Sequence, residues 1–171
     1  MKKLWAIALL SVLLLSCQAE SQEEKAAKEA FEANSKTVLA NLKGWQNENL
    51  DYSMYAPDFV MLSTEFGAEK DSVSLEEMKV YDKEMWNTFD FRLVTDPPTL
   101  LPGVNSDTRK MDGSVRHYSE WEVTLPATDS TEARSGRIKL YESFDFNPEG
   151  KIIYQQAYGD FSGIMMYLMQ N

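Results

Sequence analysis

The sequence contains one thiol, one imidazole and a few carboxylates set among apolar residues, and these are the groups that can do chemistry. Cys17 is the only cysteine and His117 the only histidine among the 171 residues. From Val115 to Leu125 the residues alternate as in a strand. The parity that holds His117 also holds Val115, Ser119, Trp121, Val123 and Leu125. An imidazole on such a face is a natural general base near neutral pH. The other reading, and the preferred one, is a hydrogen-bonded histidine at a sheet edge or dimer face. Glu142 shares parity with Ile138, Leu140, Phe144 and Phe146. A carboxylate desolvated there has a raised pKa, which suits acid–base work. Alternatively it pairs with an arginine of a neighbouring strand or lies near the open mouth of the fold, and that is again preferred. Asp58 stands where a helix gives way to a strand. It either points into a cavity or, preferably, serves a cap or turn. Asp82 follows Tyr81 on a helix and faces either core or solvent. Trp45, Tyr55, Trp86, Trp121 and Tyr141 are candidates to line a ligand cavity, although such aromatics more often fill a core.

Several chemistries lack support. GxGxxG, P-loop, CxxC, HExxH, GxSxG and EF-hand spacings are all absent, which argues against nucleotide, zinc-hydrolase and serine-hydrolase sites. A metal site would need His117 and carboxylates alone, so neither a metal nor a cofactor is expected. A single cysteine also excludes an intramolecular disulfide.

The N-terminus is a targeting signal. Met1-Lys2-Lys3 is cationic, and Leu4 to Leu15 is an apolar run of 12 residues interrupted only by Ser11. That is too short to span a bilayer, which takes roughly 20 residues. The run ends in Leu14-Leu15-Ser16-Cys17. This resembles the lipobox of bacterial lipoproteins, with an aliphatic residue at −3, a small one at −1 and then a cysteine whose thiol becomes a thioether to diacylglycerol. The resemblance implies a signal peptide over 1–16 and lipidation at Cys17, followed by a polar tether over 17–24 and one domain over 25–171. A lipid anchor holds because each buried methylene contributes about 0.8 kcal/mol. The expected location is the cell envelope, on the outer membrane or cell surface.

Removing Lys2 and Lys3 leaves 15 basic and 27 acidic residues, a formal charge of −12. That surface repels phosphate backbones, so nucleic acid is not an expected partner. Glu23 to Lys43 reads as an amphipathic helix through Ala27, Phe31, Val38 and Leu42, with Gly44 ending or bending it. Trp45 to Tyr55 reads as a second helix ended by Pro57, and Phe59 to Ser63 as a strand. Ser74 and Glu77 form a capping box for a third helix, with Leu75, Met78, Tyr81, Met85 and Phe89 as its buried stripe. Strands follow over 91–95, 99–104, 115–125, 136–146 and 151–158, with turns expected at Asp112-Gly113 and Asn147 to Gly150. A short helix closes the chain after Gly159. About three helices followed by a meander of strands give an α+β fold.

Within this order, Tyr55-Ala56-Pro57-Asp58-Phe59 resembles the helix-to-strand passage of the nuclear transport factor 2-like superfamily. That superfamily includes SnoaL-like polyketide cyclases and ketosteroid isomerase. Leu101 to Val104, Asp112 to Tyr118 with Trp121, Tyr141 to Asn147, and Gly159 to Gly163 are similar to a secreted subgroup common in Bacteroidetes. The resemblance spans about residues 25–170. It implies a cone-shaped fold, with helices packed on a curved, mostly antiparallel sheet around an apolar pocket, and often a homodimer through the outer sheet face. Fold does not choose among the family's isomerases, cyclases, hydrolases and binding modules. Two readings stand. The preferred one is a membrane-anchored, non-catalytic module binding a small apolar molecule or a protein. The other is a cofactor-free lyase or isomerase using Glu142 or His117 as general acid or base. It needs a closed pocket with a carboxylate or imidazole at its base and a hydrogen-bond donor opposite, such as Tyr141 or Tyr154.

Overall fold

The computed structural model describes residues 21–170. The expected signal peptide, Cys17 and the first part of the tether lie outside the described residues. Helix α1 (Gln22–Gln46) starts at a capping box. Glu24 N donates to Ser21 Oγ at 3.1 Å, and Ser21 N donates to Glu24 Oε2 at 2.9 Å. The last residues of the expected tether, 22–24, are therefore helical. The helix also runs through Gly44, where a stop or bend was expected. Asn49 O and Leu50 Cα lie 3.2 Å from where a β-carbon at Gly44 would sit. The glycine admits the returning chain and does not end the helix.

No second helix covers 45–55. Beyond α1 the chain makes one 3₁₀ turn, Tyr52–Met54, capped by Asp51. Strand β1 (Tyr55–Leu62) then begins, with Pro57 inside it. The proline is tolerated because the pairing of β1 with its neighbour is irregular between Tyr55 and Val60, so no ladder N–H is required there. Strand β2 (Ser72–Ser74) leads into α2 (Leu75–Thr88), which has the expected Ser74–Glu77 capping box.

Strands β3 (Asp90–Leu93), β4 (Thr99–Val104), β5 (Met111–Leu125), β6 (Arg134–Phe146) and β7 (Ile152–Tyr158) follow, and α3 (Phe161–Leu168) closes the described chain. The turn expected at Asp112-Gly113 lies earlier. Asn105 Oδ1 accepts from Asp107 N and Thr108 N at 3.0 Å each, and Arg109 takes φ 60°. Gly113 sits inside β5 at φ 82°, and a β-carbon there would stand 2.8 Å from Ala30 Cβ. Asn34 Nδ2 donates to Gly113 O at 2.9 Å. The glycine thus lets α1 lie on the sheet.

The sheet order is β2-β1-β7-β6-β5-β3, with β4 also on β5. β6 flanks one side of β5. On the other side β3 pairs with residues 121–124 of β5, and β4 with residues 115–118 and, past a register shift, with Met111. Only β1 and β7 run parallel. Three helices pack on the inner sheet face. Phe144, Ile152, Leu168, Val38 and Val115 are fully buried there. Each large side chain of this kind contributes about 1.5–3 kcal/mol by leaving water. The architecture is the expected α+β one, three helices on a mostly antiparallel open sheet.

Candidate functional site

The register of the β5–β6 hairpin builds the site. Leu125 faces Arg134 and every later pair keeps step, so His117 comes opposite Glu142 and Val115 opposite Phe144. Directly opposed residues share a face. Both therefore point toward the helices, and both are buried, His117 at 0 % and Glu142 at 7 % exposure. His117 Nε2 lies 3.0 Å from Glu142 Oε2. The ring N–H is not aligned along that contact, and Nδ1 has no hydrogen-bond partner among the described residues. The imidazole stacks on Phe144, with ring centres 5.8 Å apart and 18° between planes.

Glu142 lines a cavity of about 150 Å³ between the helices and the sheet. The wall is mostly apolar. Trp45 on α1, Met78 and Met85 on α2, and Phe91, Trp121, Ile138 and Leu140 on the strands supply it. Trp45 packs edge-on to Phe91 at 4.3 Å and to Trp121 at 6.1 Å. Polar groups enter from two sides. On the sheet side, Asn41 Nδ2 donates to Tyr55 Oη at 2.5 Å, and Tyr55 Oη donates to Gln155 Oε1 at 3.4 Å. Gln155 Nε2 in turn donates to Glu142 Oε1 at 3.5 Å. A chain of contacts thus runs from α1 to His117. On the helix side Asp82 lines the cavity at 3 % exposure. Tyr52 Oη donates to Asp82 Oδ2 at 2.9 Å.

Burial pushes the Asp82 carboxyl up to about 6, while hydrogen bonds from Tyr52 and the Trp45 indole pull the other way. Burial likewise raises the phenols of Tyr52 and Tyr55, and it pushes Tyr81 up to about 12. Asp82 therefore changes protonation closer to neutral pH than an ordinary aspartate, and the Tyr55 and Tyr81 phenols of the wall stay protonated.

Of the residues singled out from sequence, Trp45, Tyr55, Trp121 and Glu142 lie on the cavity wall. His117 stands behind Glu142 and does not line it. Trp86 does not reach the lining; it packs edge-on against Trp45 with centroids 5.7 Å apart. Asp58 is solvent-exposed on β1, where Phe59 takes the inward place. Tyr141 is on the outer face, its ring tilted against those of Tyr118 and Tyr158, because successive strand residues point to opposite faces and its neighbour Glu142 points in. On α2, Tyr81 is 43 % exposed and Asp82 takes the buried position.

Asn41 and Gln155 are cavity residues that the sequence did not mark, and Asp82, left open between core and solvent, takes the core side. For Asp82 a signal exists. It lies four residues after Met78 and three before Met85, on the helical stripe those methionines define. Among the described residues no group of three or more His, Cys, Asp or Glu side chains is placed to hold a metal, and no helix is long and apolar enough to cross a membrane.

No protein-family model and no curated protein matches the chain. Solved structures do. A protein of Xanthomonas campestris pv. campestris described as a polyketide cyclase shares 12 % identity over 86 % of this chain and 99 % of its own, with a TM-score of 0.56. A protein of Shewanella denitrificans OS-217 described as a SnoaL-like polyketide cyclase shares 13 % over 81 % and 98 %, at 0.55. An LEH-like epoxide hydrolase of M. tuberculosis shares 15 % over 83 % and 90 %, at 0.52. At such identities the likeness concerns architecture, and the chain has the cone-shaped α+β fold of nuclear transport factor 2-like, SnoaL-type proteins.

Proposed function

We propose that the chain is a lipid-anchored envelope protein whose domain holds one small, largely apolar molecule. The cavity carries this reading: about 150 Å³, walled by aromatic and aliphatic side chains, with a few convergent polar groups. That is the size of apolar cavity that accepts a benzene-like ring. Native mass spectrometry of the purified full chain is the test. A co-purifying small molecule displaced on filling the cavity, as by Ala157→Trp, supports the reading; a ligand-free chain that also takes up no added aromatic compound refutes it.

The Leu14-Leu15-Ser16-Cys17 run supports the anchor. Cys17→Ser should remove the lipid mass and shift the protein out of the membrane fraction; retention of both would end that proposal. The resemblance also carries a homodimer through the outer sheet face, where Tyr118 and Tyr158 stand half exposed beside Tyr141.

A second reading is favoured by one observation: Glu142 lines the cavity while His117 lies 3.0 Å behind it. In this reading the domain is a cofactor-free lyase or isomerase. Glu142 moves the proton, His117 positions it, and Asp82 supplies a second carboxyl group. Its prediction is that Glu142→Gln abolishes turnover of the bound molecule and leaves its binding within a few-fold. Equal loss of both would return Glu142 to a binding role.

A further inference from the structure

The cavity has more acceptors on offer than donors. Its amide donors are already committed, Asn41 to Tyr55 and Gln155 to Glu142. Among the described residues no lysine or arginine lines it. Lys79 lies outside, over the Tyr52 ring at 5.5 Å, and it pairs with Glu76 at 2.6 Å. Glu142 has His117 as its neighbour, but Asp82 has only the neutral Tyr52 hydroxyl and Trp45 indole. A buried carboxylate without a counter-charge is costly. A ligand that brings the counter-charge removes that cost, whereas an anionic ligand meets two carboxyl groups. Aromatic walls attract organic cations through their π faces. The chain's formal charge of −10 draws cations toward it.

We infer that the occupant is a single-ring-sized apolar molecule bearing one protonated amine, its ammonium against Asp82 and its ring against the apolar wall to which Trp45, Phe91 and Trp121 contribute. This rests on the proposal that the cavity holds a small molecule. The experiment is calorimetric titration of the full chain with benzylamine, with toluene as its neutral isostere and with benzoate as the anion. Benzylamine should bind about tenfold to a hundredfold more tightly than toluene, as charge-assisted hydrogen bonding provides, and benzoate should not bind. Asp82→Asn, checked for folding by circular dichroism, should collapse the preference for benzylamine over toluene to within about threefold. Toluene binding as well as benzylamine to the unaltered chain overturns the amine assignment and leaves the cavity reading standing. A preference that survives Asp82→Asn overturns the role of Asp82. Binding of none of the three overturns the cavity reading as well. The titration of the unaltered chain decides the ligand class even if the variant does not fold.

Discussion

Asp82→Asn makes a quantitative test of the site's electrostatics. Burial raises the Asp82 pKa from 3.8 to about 6 in the folded chain. The groups facing it are Trp45 from α1, Tyr52 from the 3₁₀ turn, and Glu142 and Tyr55 across the cavity. Below pH 3.8 the carboxyl group is protonated in both folded and unfolded chains and costs nothing extra. Between pH 4 and 6 the folded chain holds more protons than the unfolded one, so stability falls as pH rises. Above about pH 6 the full cost is present. One pKa unit corresponds to about 1.4 kcal/mol, so the cost approaches about 3 kcal/mol at pH 7.5. Asparagine has the same shape, still accepts from Tyr52 and carries no charge. The variant should therefore match the unaltered chain at pH 4 and exceed its stability by about 2–3 kcal/mol at pH 7.5. Urea denaturation at the two pH values measures this directly. A difference that does not change with pH, or a variant less stable at pH 7.5 than at pH 4 relative to the unaltered chain, would refute the argument that desolvation governs Asp82.

The cross-strand pair gives a second test: His117→Leu should cost about 1–3 kcal/mol by leaving Glu142 buried beside an apolar group. The double change His117→Leu with Glu142→Leu should cost less than the sum of the singles, and strict additivity would show that the two do not interact. Gly113→Ala meets both a left-handed backbone and Ala30 Cβ at 2.8 Å, and should cost about 2–4 kcal/mol. Gly150→Ala has a similar φ of 74° but open space, its nearest neighbour being Asn34 Oδ1 at 3.8 Å, so about 1 kcal/mol is expected there. Equal thermal shifts for the two glycine variants would remove the close-approach explanation. Ser74→Ala breaks the α2 capping box and should cost about 1 kcal/mol, read as a lower urea midpoint with an unchanged slope.

The parts of the fold legible in the sequence are those set by local chemistry. The Ser74–Glu77 box, the Asn147 to Gly150 turn and the strand parity of β5 and β6 depend on neighbours within a few residues. The misreadings occur where distant contacts decide. Gly44 looks like a helix stop because its permissive backbone is visible, while the Asn49–Leu50 segment that needs its missing side chain is not. Gly113 looks like a turn for the same reason, when it is the place where α1 meets β5. Pro57 looks like a barrier until the irregular pairing of β1 is known. Parity put His117 and Glu142 on apolar strand faces, yet the preferred readings, an edge or dimer-face histidine and an arginine-paired or mouth-lying carboxylate, give way to a buried pair, because β4 and β6 flank His117 and the β5–β6 loop length, which no local signal fixes, sets Glu142 opposite it.

Asn41 and Gln155 go unmarked in the sequence, and Asp82 and Glu142 stand there between two readings, for a related reason. Asn41 sits in the helical stripe of Val38 and Leu42, and Asp82 in that of Met78 and Met85. Glu142 lies on the strand face of Leu140 and Phe144, with Gln155 opposite Phe144 on β7. Taken one at a time, each is an interruption in an otherwise apolar pattern. The fold brings all four to the wall of one cavity. Four independent breaks in patterning have no reason to converge if each is a tolerated imperfection, since each would cost stability at its own place in the core. Convergence on a common space is what a site produces, because there the cost is recovered by a ligand or a reaction. Asp82 makes the case most sharply. Asparagine would serve the Tyr52 hydrogen bond at lower cost, so the proposed amine-bearing occupant accounts for the carboxylate where the enclosing fold alone does not.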